Sequence, residues 1–288
     1  MQLKIDTNPK VDTLEFHTKT KRYVQSSSPR SITKQRGLEF DHFRAYQPDD
    51  DALLIDWKAS ARANDTLVRV YSEDISLNIL IMLDVSETMI YGTEEKAKIE
   101  FAIELALNIA SGSLNYGDRV GIMMFNESLA GSVPFESGPA HISAIMETLQ
   151  NTDNFGGKVD LEYALGAMNQ LFRDTHLLIF ISDFIGYSDF YNKFHAIIDN
   201  TDIIGIMVND KSDYQLDAGG FYMHLSDPVD NDDGFIKGNN QYYKQANIER
   251  ISELQNFFTV TENDLWTFFT HDPIEKIMRL VDERNAIK

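Results

Sequence analysis

Leu77-Asn78-Ile79-Leu80-Ile81-Met82-Leu83-Asp84-Val85-Ser86-Glu87-Thr88-Met89 is an apolar run that stops abruptly at an acid followed by two hydroxyls. A strand apolar on both faces belongs inside a parallel sheet, covered above and below. In such sheets ligands collect at the carboxyl ends of strands, which is where Asp84, Ser86 and Thr88 fall. One carboxylate with two hydroxyls is a hard-oxygen donor set, suited to a divalent cation such as Mg2+ or Mn2+.

Working outward, strand and helix patterns alternate. From Glu94 to Leu114, apolar residues recur at Ile99, Ile103, Ala106, Leu107, Ala110 and Leu114, the spacing of one helical face. Gly117-Asp118 then turns the chain into the strand Arg119 to Phe125. Ile142, Ile145, Met146 and Leu149 mark a second helix, and Leu161, Ala164, Leu165, Met168, Leu171 and Phe172 a third. Two further buried strands, Leu177 to Ile181 and Ile203 to Val208, bracket a helix carrying Phe190, Phe194, Ile197 and Ile198. This order predicts an α/β fold, with a mostly parallel sheet flanked by helices on both faces. Residues 210 to 240 lose the rhythm and are expected to run over the surface, with an edge hairpin. Helical patterns return through Ile248, Ile251 and Leu254, and through Ile274, Ile277, Met278 and Val281.

Composition narrows the chemistry. The 288 residues are 43% hydrophobic, enough for a substantial core, and contain no cysteine, which removes disulfides, thiolate metal sites and cysteine nucleophiles. No apolar run approaches the roughly 18 residues of a membrane helix. The start, Met1-Gln-Leu-Lys-Ile-Asp, has no signal-peptide core, so a cytoplasmic location is expected. A net charge of -19 argues against nucleic-acid binding. Residues 1 to 36 hold eight basic and three acidic residues, leaving 18 basic and 42 acidic in the remainder. A basic arm thus precedes an acidic body, either packing on it or serving a partner. Trp57 and Trp266 are expected to anchor packing, and the seven scattered histidines show no paired ligand spacing.

A second carboxylate follows the strand Leu177 to Ile181, in Ser182-Asp183-Phe184, and in a doubly wound sheet its strand end can neighbour that of Asp84. The loop Gly156-Gly157-Lys158-Val159-Asp160 leads into a helix, where Asp160 reads as a cap.

Asp84-Val-Ser86-Glu-Thr88-Met89 resembles the Asp-x-Ser-x-Ser-Met signature of the von Willebrand factor type A fold, whose metal-ion-dependent adhesion site coordinates Mg2+ or Mn2+. Upstream, Gly37-Leu-Glu39-Phe40, Arg44-Ala-Tyr46-Gln-Pro48-Asp-Asp50, Ile55-Asp56-Trp57-Lys58 and Ser60-Ala61-Arg62 resemble the signature of the bacterial domain of unknown function fifty-eight. Gly117-Asp118-Arg119-Val120-Gly121, Ile181-Ser182-Asp183-Phe184 and Leu225-Ser226-Asp227-Pro228 extend the likeness over about residues 36 to 230. Asp49 and Leu53 stand where that family usually has glycine and arginine, marking a divergent member.

The resemblance implies a von Willebrand A-like, doubly wound domain over residues 76–230. It follows the basic arm at 1–36 and the signature segment at 37–75 packed on the main domain, and precedes an acidic loop and C-terminal helical extension at 231–288. It also implies a non-enzymatic adaptor or chaperone-like partner of a MoxR-type AAA+ ATPase. The family's metal site maps onto Asp84, Ser86, Thr88 and Asp183, with Asp160 in reserve, while Val159 occupies the position expected for a threonine ligand. Valine matches threonine in shape but supplies no oxygen, so water or Asp160 would have to fill the place. Lys158 is the local candidate to set an ammonium beside the carboxylates in place of the ion.

Two other readings start from the same residues. A phosphatase of the haloacid dehalogenase type would use Asp84 as nucleophile with Mg2+, but the second acid of Asp-x-Asp-x-Thr is Ser86 here. Losing that proton donor removes a factor of roughly 10²–10⁴ in rate. The other is a metal-free scaffold binding through the same edge or the basic arm. The reading adopted is an interaction module whose contact surface is the edge formed by Asp84, Ser86, Thr88, Val159, Asp160 and Asp183, with a partner carboxylate completing the coordination of a bound cation.

Overall fold

A computed structural model describes residues 3–18, 38–47, 50, 52–63, 65–73, 76–92, 95–187, 193–194, 201–214, 222–226, 233–237 and 241–286. Among these, the strands in chain order are β1 (Leu38–Ala45), β2 (Leu67–Glu73), β3 (Asn78–Asp84), β4 (Arg119–Phe125) and β5 (Leu129–Ser137). They continue as β6 (Leu177–Ser182), β7 (Asp202–Asn209), β8 (Tyr222–Ser226), β9 (Asp233–Lys237) and β10 (Asp264–Phe269). The chain divides into two compact units, Met1–Thr20 with Leu77–Lys288, and Lys21–Ser76.

The larger unit is α/β, built on a six-stranded sheet of order β10-β7-β6-β3-β4-β5. β10, β7, β6, β3 and β4 run parallel, and β5 closes one edge antiparallel to β4. The apolar run that opened the sequence reading is β3, buried at all seven positions. Its alternation explains why both faces are apolar: Ile79, Ile81 and Leu83 pack with the helix Lys98–Tyr116, while Leu80 and Met82 pack with Leu161, Leu165 and Phe258 from the helices Leu161–Leu171 and Gln241–Val260. This is a mostly parallel, helix-flanked architecture consistent with a von Willebrand A-like doubly wound fold. Strand order reverses at β3, whose neighbours are β4 and β6, so the crevice at the carboxyl end of the sheet opens between β3 and β6.

Gly117 ends the helix Lys98–Tyr116 with φ +116°, its N–H bonding Ser113 O. Asp118 then accepts Leu77 N–H at 2.8 Å, while Arg119 N–H bonds Leu77 O. The Gly-Asp-Arg motif is thus the joint between helix and strand.

Two segments outside residues 76–230 take part in the larger unit. Residues assigned to a basic arm include a docked segment: Val11, Leu14 and Phe16 are buried in the core. Their backbone is received by one stripe of the helix Lys98–Tyr116. Lys4 N–H bonds Glu100, Asp6 N–H bonds Glu104, Lys10 and Val11 N–H bond Asn108, and Leu14 N–H bonds Gly112 O. Likewise, the region from 231 is not only loop and helices, because Asp264–Phe269 extends the main sheet as β10, parallel to β7. Trp266 is buried there, as expected. The helix Lys276–Ala286 follows, its Arg284 paired with Asp202 at 2.5 Å and Asp264 at 2.7 Å.

Of the helix expected between β6 and β7, Phe194 is buried, while Phe190, Ile197 and Ile198 lie outside the described residues. The expected edge hairpin exists as β8 antiparallel to β9, in a two-stranded sheet of its own.

The smaller unit pairs β1 with β2 antiparallel, with the helix Trp57–Ala63 between them in sequence. Asp56 caps that helix, accepting from Lys58 and Ala59 N–H at 2.9 Å each, and takes Arg69 on its other oxygen. Arg44 pairs with Asp50. Arg44, Asp50 and Asp56 of the upstream signature thus make their ion pairs within this unit. Trp57, expected to anchor packing, is 71% exposed.

Candidate functional site

The site lies at the carboxyl end of β3 and β6, which pair directly, Leu83 opposite Ile181. Asp84 is the last residue of β3 and is fully buried. Its Oδ1 accepts Ser86 N–H at 2.9 Å, and its Oδ2 accepts from Ser182 Oγ at 2.7 Å and Tyr187 Oη at 2.8 Å. Asp183, also fully buried, receives Ile185 N–H at 2.9 Å and Thr88 Oγ1 at 3.3 Å on Oδ1. Ser86 Oγ and Thr88 Oγ1 are 3.3 Å apart. The four residues singled out from sequence, Asp84, Ser86, Thr88 and Asp183, are thus brought to one place.

Backbone geometry sharpens the turn after β6. Phe184 adopts φ +55°, a left-handed conformation uncommon outside glycine, held by its N–H bond to Ser182 Oγ at 2.9 Å. Its ring is seated between Phe180, Tyr187 and Phe258.

The middle loop is clamped beside this turn. Glu87 N–H bonds Gly157 O and Gly156 N–H bonds Val85 O, while Asn126 Nδ2 donates to the carbonyls of Asn154 and Gly156. Gly156 has φ +102°, a left-handed conformation that favours glycine. Val159 sits next to Gly186, half-buried against the aromatic cluster. Asp160 is exposed and caps the helix Leu161–Leu171 through Tyr163 N–H at 3.0 Å, standing apart from the carboxylate pair.

The cation of the site is Lys98, which the sequence reading did not single out. It is the first residue of its helix and 3% exposed. Its Nζ lies 2.7 Å from Asp183 Oδ2 and 3.3 Å from Asp213 Oδ2. Asp213 is held in turn by Asp210 N–H at 2.8 Å. Lys158, the expected source of an ammonium, is exposed in its loop. A lysine at a helix N-terminus opposes the helix dipole, so its placement there reflects the two acids it meets. Arg250 adds a second cationic group nearby, donating to the carbonyls of Asp183 at 3.0 Å and Phe184 at 3.4 Å.

Burial raises the Asp84 carboxyl above the ordinary carboxylate range and the Asp183 charge adds to it, against hydrogen bonds from Ser86 and Ser182. Burial pulls the Lys98 ammonium down, but Asp183 and Asp213 outweigh it, leaving its pKa above the usual lysine value. Burial likewise raises Asp213, partly offset by Lys98. The Tyr187 hydroxyl is pushed well above its ordinary value by burial and by Asp84.

The donor set does not fit a divalent ion as it stands. Val159 contributes no oxygen, and the Lys98 ammonium sits on Asp183 Oδ2 and neutralises its charge directly. Among the described residues, no three His, Asp or Glu side chains converge where a metal could be held.

Fold and site define an open α/β domain with a buried acidic pair at its topological switch point. The chain belongs to the family described as protein of unknown function DUF58, whose model matches residues 42–250. Uncharacterized proteins of Mycobacterium bovis and Mycobacterium tuberculosis are 28% identical over 182 residues, 62% of this chain and 57% of theirs. The chain thus spans little more than half the length of these relatives. Among solved structures, it is similar to the conserved hypothetical protein BatB from Bacteroides thetaiotaomicron, with 14% identity and a TM-score of 0.47, over 74% of this chain and all of that one. An aerotolerance-related membrane protein from Bacteroides fragilis matches with 13% identity and a TM-score of 0.44, again over 74% of this chain and all of that one. Among the described residues, no helix is long and apolar enough to cross a membrane.

Proposed function

We propose that this chain is a non-enzymatic protein-interaction module, an adaptor or chaperone-like partner of a MoxR-type AAA+ ATPase, that binds through the edge around Ser86, Thr88, Val159 and Asp183. The ATPase is the partner implied by the family signature in the sequence. A partner driven by ATP also places the module where ATP is available, on the cytoplasmic side.

The observation that carries the reading is the state of Asp84. A nucleophilic carboxylate needs an oxygen directed at the substrate, whereas both oxygens of Asp84 are engaged and the residue is 0% exposed. Ser86 supplies no acid where a phosphatase would need one. These features support an edge that is built rigid and internally satisfied, with half-buried Thr88 and Val159 at its rim.

The test has two arms. Purified chain immobilised on a sensor is expected to bind the MoxR-type ATPase of the same genome saturably, and flat traces would remove that partner. Turnover of p-nitrophenyl phosphate abolished by Asp84→Asn would overturn the non-enzymatic assignment.

A further inference from the structure

We propose that Lys98 is a tethered cation occupying the role a divalent ion would play at this edge, so that the binding surface is assembled without metal. The proposal deepens the interaction-module reading and rests on it for the word binding, but the occupancy of the site is testable on the isolated chain.

Three observations converge. Lys98 reaches from the first position of its helix to Asp183, beyond β6, and Asp213, beyond β7, joining three elements at one buried point. An adhesion-type metal site does the same job, using a cation to tie loops that otherwise repel. The ligand that this chain lacks is the middle-loop hydroxyl, replaced by Val159, which packs against the aromatic cluster instead of facing an ion. Finally, Ser86 Oγ and Thr88 Oγ1 lie 3.3 Å apart and Thr88 donates to Asp183, so the turns after β3 and β6 are joined directly.

A divalent ion among Ser86, Thr88 and Asp183 would stand beside a buried ammonium that shares the same carboxylate, with little water between to screen them. One cation excludes the other. The consequence for recognition is that no partner carboxylate is needed to complete a coordination shell.

Mn2+ binding, followed by electron paramagnetic resonance of the free ion, decides the matter. The wild-type chain is expected to show no saturable site at millimolar Mn2+, and Val159→Thr alone is expected to create none. Lys98→Gln is expected to create a saturable site at least about tenfold tighter than the wild-type upper limit, the size of effect typical of a group contacting a metal ligand, and Asp183→Asn in that background should abolish it. A stoichiometric wild-type site lost on Asp183→Asn would overturn the proposal, as would folded Lys98→Gln with no gain. Should Lys98→Gln fail to fold, wild-type melting decides: equal midpoints in magnesium and in chelator support a tethered cation, and a magnesium-dependent rise abolished by Asp183→Asn refutes it. Neither failure touches ATPase binding, and loss of ATPase binding leaves the Mn2+ results standing.

Discussion

The Lys98 ammonium lies 2.7 Å from Asp183 Oδ2, with Lys98 3% and Asp183 0% exposed. Removing one member of a buried pair leaves the other charged and uncompensated, a loss of about 3–5 kcal/mol in comparable cases. Lys98→Met is therefore expected to lower unfolding free energy by about that amount in urea titration. Asp213→Asn in the same background should recover part of it, since one of the two stranded acids is then neutral. An unchanged midpoint for Lys98→Met would show that the ammonium compensates nothing.

Asp118 gives a pH-dependent signature away from the site. It is 1% exposed, its Oδ2 has no hydrogen-bond partner, and burial raises its pKa to about 6 against the bond from Leu77 N–H. For an acid whose folded pKa lies above its unfolded value, the stabilisation is complete below the unfolded value of 3.8 and is lost as pH rises through about 6. Asp118→Asn keeps an acceptor for Leu77 and cannot ionise. Relative to that variant, the wild type should lose about 2–3 kcal/mol of unfolding free energy between about pH 4 and about pH 7. Parallel stability curves for the two proteins would contradict this.

Gly112 sets how closely the N-terminal segment docks. A β-carbon there would lie 2.8 Å from Leu14 Cγ and 3.0 Å from Leu14 N, so any side chain must push the segment off. Gly112→Val is expected to cost about 1–3 kcal/mol and to speed tryptic cleavage after Lys10, with the circular dichroism of the domain unchanged. Wild-type cleavage kinetics in the variant would mean that the segment is not held by this contact.

The central strands were legible because burial on both faces writes itself as an uninterrupted apolar run, as in β3 and β6. β10 was not, because Asp264-Leu265-Trp266-Thr267-Phe268-Phe269 is an edge strand with only Trp266 and Phe268 buried, and so reads as mixed. For residues 3–17 the sequence allowed packing on the body without saying where, because the acceptors are Glu100, Glu104 and Asn108, polar residues that look like the solvent face of a helix. At the site, Asp84, Ser86, Thr88 and Asp183 follow strand ends and announced themselves. Lys98 did not, since nothing local says that a lysine in a first helical turn reaches across a sheet edge. Its one signal was a basic residue where the dipole prefers acids, together with Asp210 and Asp213 just past β7. Tyr187 and Arg250 carried no readable signal.

The central claim is that this edge is where the chain binds its partner, and Val159→Arg tests it most directly. The half-buried rim position should accept an arginine that projects outward and covers the edge without touching the buried acids. Measured by biolayer interferometry against the MoxR-type ATPase, the wild type should bind and Val159→Arg should lose at least about tenfold in affinity, roughly 1.4 kcal/mol, with the circular dichroism of the folded domain unchanged. Equal affinity for the two proteins would place the binding surface elsewhere and contradict the account.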